Sequence, residues 1–355
     1  MGWTLRQYGK RCNFATCMKV VVDEKIPYIR EACQRAFDEV AYLPGDAIGP
    51  EDVKDADALI VRTRTRCNRQ LLEGSRVRFV ATATIGYDHL DVEYLEGAGI
   101  GWTNQPGCNA SSVAQYVRNS LLVLERRGQV RLRDAVVGIV GVGHVGREVV
   151  KALQPFGCRL LLNDPPREER ERIGFCSLEE LAERCDVVTF HVPLTHDGKW
   201  PTYHMADKAF VDTLKRRPVL INAARGEVVC TEALVEGLDE GKVRAAVIDT
   251  WENEPNASPE LLERAVIATP HIAGYSADGK ANASRMAMEA VCVHFGIETQ
   301  IDIEPPSLPD TFVPAQDVVE RHLQYYNPLT DTEAFKAHPE RFEQLRNNYP
   351  LRREG

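Results

Sequence analysis

The sequence has no apolar run long enough to cross a membrane, no close cysteine pairs and no excess of positive charge. Its longest nearly uncharged apolar stretch, residues 135–142, is far shorter than the roughly 20 residues of a transmembrane helix. None of the 10 cysteines forms a CxxC pair, so neither a zinc site nor a disulfide framework is indicated. The net charge of -9 argues against a nucleic-acid surface. We therefore expect a cytoplasmic protein with no metal, no membrane contact and no nucleic-acid partner.

Length and composition are those of an ordinary globular protein. The chain has 355 residues, of which 44% are hydrophobic and 27% charged, so we expect two or three domains with large cores. Residues 1–17 carry basic side chains, no acid and no apolar periodicity. We expect them to form a disordered extension, and Met18, which directly precedes an apolar strand, is an alternative start of the chain.

A strand, a glycine turn and a helix follow one another near the middle of the chain. The apolar segment 136–140 leads into Gly141-Val142-Gly143-His144-Val145-Gly146, after which Val149, Val150 and Leu153 recur at helical spacing. In such a turn the first glycine permits the tight bend and the second lets backbone N–H groups approach a pyrophosphate. The third lets helix and strand pack closely, and the positive helix end favours the anion. The segment therefore predicts a dinucleotide site.

The next strand ends in an acid. Leu160-Leu161-Leu162 is followed by Asp164, near the spacing of about 20 residues at which a carboxylate accepts the ribose hydroxyls of an adenosine. That carboxylate would repel a 2′-phosphate. The segment therefore predicts NAD rather than NADP, whereas the glycines without these flanking elements would indicate only a tight turn.

Alternating strands and helices divide the chain into two α/β domains. Residues 18–110 and 276–300 are predicted to form a substrate-binding domain, because they alternate strand and helix without a glycine fingerprint. Residues 111–275 are predicted to form an NAD-binding Rossmann domain with a doubly wound parallel sheet. The expected strands lie at 19–22, 59–61, 79–81, 136–140, 160–162, 187–190, 219–221, 246–248 and 266–268.

Serines mark two helix starts in the second of these domains. Ser111 or Ser112 is expected to cap a long helix whose apolar residues recur every three or four positions. Ser177 and Glu180 have the spacing of a capping box. After Gly274 a further helix is expected to return the chain to the first domain.

Residues 301–355 contain seven of the 20 prolines and many large apolar side chains. A disordered tail would hold fewer such groups, so we expect helices near 315–325 and 339–349 that cover a surface, with a second subunit as one candidate. The region is predicted to be a dimerisation region and the protein a homodimer. Its large apolar residues are Phe312, Leu323, Tyr325, Tyr326, Phe335, Phe342 and Leu345.

Three charged residues lie just beyond strand ends, where ligands bind in open α/β sheets. Arg225, Glu254 and His271 together supply what the oxidation of a 2-hydroxy acid requires. A histidine accepts the hydroxyl proton, a carboxylate on its other ring nitrogen fixes the tautomer, and an arginine grips the substrate carboxylate. Each of them alone would be interpreted as a surface or packing residue. Because all three lie just beyond predicted strands, we favour a catalytic role.

Four segments carry a family resemblance. Residues 137–146, 222–226, 249–255 and 270–274 resemble the D-isomer-specific 2-hydroxyacid dehydrogenase family, and the likeness extends over nearly all of residues 18–296. The resemblance implies an NAD-dependent dehydrogenase with a flavodoxin-like substrate domain. It also implies that Arg225, Glu254 and His271 are catalytic.

More narrowly, the chain is similar to a subgroup of that family that oxidises a phosphorylated four-carbon hydroxy acid in pyridoxal 5′-phosphate biosynthesis. Asp164-Pro165-Pro166-Arg167 and the segment from His271 through Tyr275 to Lys280 are the more specific marks. The chain departs from the subgroup in a shorter tail, in Gln115 where a glutamate is common, and in Val192 where a threonine is common.

The resemblance also implies ligand contacts. Thr63, Thr84 and Tyr275 are implied to touch the substrate. The residues implied to hold NAD are Gly141, Gly143, His144, Val145, Gly146, Asp164, Val192, Ala223, Asp249 and Gly274.

The substrate phosphate needs a cationic partner. Arg62, Arg64 and Arg66 alternate after the strand 59–61, so in extended chain they would point to one side. We expect Arg62 or Arg64 to bind the phosphate and Arg66 to be solvated.

Two other functions stay open: another 2-hydroxyacid dehydrogenase, of the phosphoglycerate or glyoxylate type, and a non-catalytic NAD-sensing corepressor on the same fold.

Overall fold

Each half of the molecule is built around a parallel β-sheet. The structure is a computed structural model that describes residues 17–172 and 174–355. The predicted extension 1–17 lies outside these residues except for Cys17. The chain divides into two compact units. The first contains the described residues up to Gln105 together with Ser284–Ile303, and the second contains Pro106–Ala283 and Glu304–Gly355. These limits fall a few residues from the predicted domain boundaries, and the substrate and cofactor roles of the two domains stay predictions.

The first unit contains a five-stranded parallel sheet in the order β2-β1-β3-β4-β5, which is the flavodoxin-like order. This confirms the predicted fold class. The predicted strands omitted β2 and β5, a partly exposed edge strand and a strand of three residues. The strands are β1 (Lys19–Asp23), β2 (Glu39–Leu43), β3 (Ala58–Val61), β4 (Phe79–Thr82) and β5 (Gly101–Thr103). The helices are α1 (Arg30–Ala36), α2 (Pro50–Val53), α3 (Arg69–Leu72) and α4 (Val92–Gly97).

The second unit contains a six-stranded parallel sheet in the order β11-β10-β9-β8-β6-β7. This confirms the predicted doubly wound sheet. Its strands are β6 (Val136–Val140), β7 (Arg159–Asn163), β8 (Val187–Phe190), β9 (Val219–Asn222), β10 (Ala245–Ile248) and β11 (Ile267–Ala268). Its helices up to residue 264 are α5 (Ala110–Arg126), α6 (His144–Leu153), α7 (Pro165–Glu171), α8 (Leu178–Arg184), α9 (Lys208–Thr213), α10 (Thr231–Asp239) and α11 (Pro259–Arg264).

Both faces of this second sheet are buried. Along β10, Ala245 and Val247 enter one apolar cluster, whereas Ala246 and Ile248 enter the other. Successive side chains of a strand point to opposite faces, so helices must cover both sides, as is usual for parallel sheets. The continuous apolar strands of the sequence follow from this double burial.

The start of α5 differs from the expectation. Asn109 is the N-terminal flanking residue, and neither Ser111 nor Ser112 caps the helix. Ser112 is buried instead, and its hydroxyl lies 2.7 Å from the Ser276 hydroxyl. The expected capping box is present, because Ser177 Oγ accepts from Glu180 N while the Glu180 carboxylate accepts from Ser177 N.

A long helix, α12 (Ala277–Phe295), follows Gly274 and continues from the second unit into the first. The C-terminal region then contributes α13 (Val318–Tyr325), α14 (Pro328–Ala337) and α15 (Phe342–Asn347). The helix α14 lies between the two expected helices and was not among them. It begins with Pro328 in the first turn, where proline is favoured, directly after the Asn327 cap.

Four of the large apolar residues of the C-terminal region do not need a second subunit to cover them. Phe335 and Phe342 belong to one apolar cluster of the second unit, and Leu323 and Tyr326 belong to the other. All four are buried within this chain. The expectation that they cover a partner is therefore wrong for these residues.

Within residues 17–172 and 174–355, every helix is too short or too polar to cross a bilayer. No group of three or more potential metal ligands occurs among the same residues.

Candidate active site

The three predicted catalytic residues lie in consecutive turns at one edge of the second sheet. Asn222 is in register with Ile248, and Ile248 is in register with Ala268. The turns that follow these aligned positions carry Arg225, Glu254 and His271 respectively. Because parallel strands end at the same edge, residues far apart in sequence are brought to one side of the sheet.

Glu254 and His271 form a hydrogen-bonded pair. His271 Nδ1 lies 2.8 Å from Glu254 Oε2 and 3.1 Å from Oε1, and the two side chains are 26% and 21% exposed. Glu254 Oε1 also accepts from Trp251 N at 2.9 Å. Burial raises the pKa of Glu254, but the hydrogen bond and charge of His271 outweigh it, and the net shift is downward. The pair therefore presents a carboxylate to Nδ1 and leaves Nε2 as the reactive ring nitrogen.

Arg225 follows β9 in a turn that its own sequence stabilises. The Asn222 side chain donates to the carbonyls of Arg225 and Gly226 and accepts from Ala224 N. The Arg225 side chain is exposed, and its guanidinium donates to the Ala224 carbonyl at 2.7 Å. Most of its donors thus remain available for an anionic ligand.

Asp249 holds the His271 loop from inside the protein. It is buried, and its carboxylate accepts from the Thr269 hydroxyl at 2.7 Å, from Ile272 N at 2.8 Å and from Ala273 N at 3.0 Å. Burial raises the pKa of Asp249. The sequence resemblance implied a cofactor contact for Asp249, whereas the hydrogen bonds that its carboxylate accepts from the described residues all come from the loop that carries His271.

The backbone of His271 lies in the left-handed region, with φ 56°. A residue other than glycine rarely adopts this conformation, and histidine is among the side chains that tolerate it better. His271 N donates to the carbonyls of Asp249 and Thr269. These hydrogen bonds of the surrounding loop therefore hold His271 in its unusual backbone conformation.

The glycine turn has the shape that a dinucleotide requires. A methyl group at Gly141 would lie 2.6 Å from the His191 carbonyl oxygen, and one at Gly146 would lie 2.1 Å from the Gly141 carbonyl oxygen. At Gly143, which precedes α6, a methyl group would meet nothing within 4 Å. The first and third glycines are thus needed for packing, whereas the second faces open space at the helix N-terminus. This arrangement fits the pyrophosphate of NAD.

Asp164 lies beside that turn. Its carboxylate accepts from Val142 N at 2.9 Å and from Arg167 N at 3.0 Å, which caps α7. The Arg167 guanidinium donates to the Val142 carbonyl and to both oxygens of Glu171. Each Asp164 oxygen has one donor, so lone pairs remain for ribose hydroxyls. Arg167 is already engaged, which disfavours its use for a 2′-phosphate.

His191 follows β8, across the sheet's switch point from the glycine turn. Its Nε2 atom lies 2.9 Å from the Thr189 hydroxyl, and its buried Nδ1 atom has no hydrogen-bond partner within the described chain. Burial lowers the pKa of His191 to about 3. A buried polar atom without a partner beside the turn is consistent with a wall of the cofactor site.

The other residues predicted to hold NAD lie in this same unit, in or next to the turns already described. They are His144 and Val145 at the start of α6, Val192 after β8, Ala223 after β9 and Gly274 after His271. The Gly274 carbonyl accepts from the Asn109 side chain at 3.3 Å.

Tyr275 is surrounded by side chains from the C-terminal region. Its ring packs edge-on against Tyr349, and the Lys280 ammonium lies 5.0 Å from its centroid. Arg346 of α15 interacts with Tyr275 and lies 4.0 Å from Glu254 Oε2. The sequence reasoning missed Arg346, because nothing local distinguishes it from a solvated helix arginine.

The remaining predicted substrate residues lie in the first unit. Thr84 follows β4, and its hydroxyl donates to the Gly86 carbonyl and lies 2.7 Å from the Thr82 hydroxyl. Thr63 follows β3 and is exposed. Their roles stay predictions.

The expected arrangement of arginines after β3 is wrong. Residues 62–65 form a turn, closed by the bond from Thr65 N to the Arg62 carbonyl, so they do not alternate as extended chain. Arg62 is also paired: its Nε atom donates to Asp23 at 3.1 Å, and Asp23 is fully buried. Arg64 and Arg66 are exposed.

Comparisons with known proteins agree with this geometry. The family model for the D-isomer specific 2-hydroxyacid dehydrogenase NAD binding domain matches residues 109–273. Erythronate-4-phosphate dehydrogenase of Bacteroides thetaiotaomicron is 54% identical over 95% of this chain and 97% of its own length. The enzyme of that name from Escherichia coli is 43% identical over 95% and 92%. The solved structure of NAD+-bound 3-phosphoglycerate dehydrogenase from Entamoeba histolytica matches with a TM-score of 0.61 and 25% identity, covering 83% of this chain and 100% of that one.

Proposed function

Because this chain belongs to the erythronate-4-phosphate dehydrogenase family of D-isomer specific 2-hydroxyacid dehydrogenases, we propose that Arg225, Glu254 and His271 catalyse oxidation of 4-phospho-D-erythronate. The product is the 2-oxo acid 3-hydroxy-2-oxo-4-phosphooxybutanoate, and the pathway is pyridoxal 5′-phosphate biosynthesis. The single observation that carries the proposed site is the His271–Glu254 pair, held at the sheet edge that also presents the Arg225 guanidinium.

NAD is the coenzyme, and when bound it accepts the hydride from C2 of the substrate. His271 Nε2 takes the proton of the C2 hydroxyl as the carbon–oxygen single bond becomes a carbonyl. Glu254 stabilises the imidazolium that forms and keeps Nδ1 protonated before the reaction. Arg225 binds the substrate carboxylate and polarises the developing carbonyl.

Residues of this chain also account for the coenzyme site. The backbone N–H groups after Gly143 would bind the pyrophosphate, and Asp164 would accept the adenosine ribose hydroxyls. We assign Arg62, Thr63, Thr84 and Tyr275 to the substrate, with Arg62 or Arg64 for its phosphate. The assignment of Arg62 is supported by its geometry: its Nε atom donates to Asp23, whereas its two terminal nitrogens have no hydrogen-bond partner among the described residues.

The two alternative functions have less support. The named relatives at 54% and 43% identity, which nearly match this chain end to end, favour the phosphoerythronate reaction over phosphoglycerate or glyoxylate chemistry. The retained arginine, carboxylate and histidine, together with these relatives, disfavour a corepressor without turnover.

We also propose a cytoplasmic homodimer. The nine cysteines within the described residues are all free, which suits a reducing compartment. The dimer rests on the family resemblance, since Leu323, Tyr326, Phe335 and Phe342 are already buried within their own chain. Light scattering of the purified protein would give twice the chain mass of 39.8 kDa for a dimer.

A substrate panel tests the function. We expect NADH to form rapidly with 4-phospho-D-erythronate and NAD, and poorly with D-erythronate, 3-phosphoglycerate or glycolate. The His271→Asn variant is the control, because asparagine tolerates the left-handed backbone but cannot accept the proton; its kcat should fall by about 100-fold or more. Rapid turnover of another hydroxy acid, or NADH binding without any turnover, would refute the proposal.

A further inference from the structure

Arg352, near the C-terminus, is a buried cation whose every donor is used within the second unit. The residue is 8% exposed. A guanidinium has five N–H donors, and six oxygens lie within hydrogen-bond distance of them. These acceptors are Gln115 Oε1 at 2.9 Å, the Ile272 carbonyl at 3.0 Å, the Tyr275 carbonyl at 2.8 Å, the Tyr349 hydroxyl at 3.4 Å, the Ser112 carbonyl at 3.2 Å and the Ala273 carbonyl at 2.6 Å.

Three of those acceptors belong to the loop directly after His271. The carbonyls of Ile272, Ala273 and Tyr275 face Arg352, whereas the N–H groups of Ile272 and Ala273 face Asp249. The peptide group between Ile272 and Ala273 is thus bonded at its oxygen to a buried cation and at its nitrogen to a buried anion. We call Arg352, Asp249 and the loop between them the clamp.

The clamp acts where the backbone is under strain. His271 has φ 56°, and such a conformation persists only when its surroundings enforce it. The side chain of His271 must also stay within hydrogen-bond distance of Glu254. A loop held on one side only could relax at His271 and move the imidazole away from the carboxylate.

The surroundings of Arg352 favour a charged guanidinium over any other group. The Arg352 guanidinium lies 4.1 Å from the Tyr326 ring centroid, and Tyr349 links it to Asp331. Burial lowers the pKa of Arg352, but these tyrosines and Asp331 outweigh it, and the net shift is upward. The Gln115 side chain supplies a neutral acceptor. The positive charge of Arg352 is therefore stabilised mainly by the carbonyls of residues 272, 273 and 275, and its guanidinium donates to no carboxylate among the described residues.

We propose that Arg352 is a positioning residue for catalysis, which holds His271 against Glu254 by fixing the carbonyls of residues 272, 273 and 275. The proposal rests on the proposed function, because the reaction is the readout. It gives the C-terminal segment a role in the chemistry of its own chain. The segment is joined to this loop by backbone pairing as well, since Ala277 N donates to the Arg352 carbonyl.

The test compares Arg352→Met with Arg353→Met. Arg353 is the adjacent arginine, but it pairs with Asp278 and contacts none of the loop carbonyls. We expect kcat to fall about 100-fold in Arg352→Met, as for a misplacement of about 1 Å at the reacting group. The dissociation constant for NADH should change little. The deuterium isotope effect on kcat with C2-deuterated substrate should rise, because hydride transfer becomes slower than the other steps.

Two further measurements distinguish a displaced loop from other causes of a lower kcat. Hydrogen exchange of the amides of Ile272 and Ala273 should be faster in Arg352→Met than in Arg353→Met, whatever the activity. Guanidinium ion at millimolar concentration should restore part of kcat in Arg352→Ala but not in Arg353→Ala. If the methionine and alanine variants do not fold, Arg352→Lys replaces them, since an ammonium keeps the charge but lacks the planar fork; kcat should again fall and the isotope effect rise.

Unchanged kcat in a folded Arg352 variant, equal losses in the Arg353 variants, or unchanged amide exchange would each overturn the proposal. Turnover by the wild-type protein is measured first. Its absence would contradict the proposed function, whereas wild-type turnover that survives loss of Arg352 would contradict only this inference.

Discussion

Gly226 packs directly against the main chain of Trp251, where a methyl group on Gly226 would lie 2.1 Å from the Trp251 carbonyl carbon and oxygen. This contact joins the turn of Arg225 to the loop of Glu254. We expect Gly226→Ala to lower the free energy of unfolding by about 3 kcal/mol and kcat by more than tenfold, because the two turns must separate. Chemical denaturation and steady-state kinetics measure both effects.

Gly143→Ala is the matched control for that variant, because a methyl group there meets nothing within 4 Å. It should leave stability nearly unchanged and raise the KM for NAD about tenfold, or about 1.4 kcal/mol, since the added carbon occupies the space next to the pyrophosphate. Equal destabilisation by the two alanines would contradict the packing described for Gly226.

Glu254→Gln should lower kcat by about 100-fold to 10,000-fold, because the amide keeps the shape of the side chain but loses its charge. The pKa of Glu254 is lowered in the folded protein. A group whose folded pKa is depressed contributes stability above its unfolded pKa and loses it as the pH falls through the folded value. The wild-type protein should therefore be more stable than the variant at neutral pH, and the difference should shrink as the pH falls from the unfolded glutamate pKa of about 4.3 through the lower folded value. A difference that stays constant through that whole acid range would contradict the assignment.

His191 should make the protein sensitive to mild acid. Burial holds its pKa at about 3, whereas an unfolded histidine has a pKa of about 6.5. Between these values the unfolded chain binds a proton that the folded chain does not, so stability falls as the pH falls. The loss should reach about 2 kcal/mol at pH 5. His191→Gln should reduce this dependence in thermal unfolding, while the exposed control His338→Gln should not; equal slopes for all three proteins would contradict it.

Removal of the phosphate-binding arginine should distinguish phosphorylated from unphosphorylated substrate. We expect Arg62→Ala or Arg64→Ala to raise the KM for 4-phospho-D-erythronate about 10-fold to 100-fold and to affect D-erythronate much less. Loss of Arg62 leaves Asp23 unpaired and could destabilise the protein, which would affect both substrates. The ratio of the KM values for the two substrates corrects for this effect. Arg66→Ala is the control. Equal effects on both substrates in both variants would refute the assignment.

The parts of the site that could be predicted from sequence are those encoded locally. The glycine turn, Asp164, Arg225, Glu254 and His271 each directly follow an apolar strand, and parallel strands place such residues at one edge. The burial pattern of these strands is likewise visible as continuous apolar runs. Local order along the chain was sufficient to predict that they lie at one edge of the sheet.

The parts that could not be predicted depend on contacts between distant residues. Arg352 bonds Ile272 across 80 positions and Gln115 across 237 positions, and no short motif marks an arginine for complete burial. The pairing of Arg62 could not be predicted, because its partner Asp23 lies on another strand. In each case partners that are distant in sequence decide what the side chain does.

Both units of this chain use the same strand order, in which the first strand lies between the second and the third. In the second unit the glycine turn lies at that reversal, and Gly143 faces open space. In the first unit the ends of β1 and β3 carry the buried Asp23 and its partner Arg62. The same strand order thus carries a turn open to a coenzyme in the second unit and an ion pair in the first. A few side chains at the strand ends make this difference.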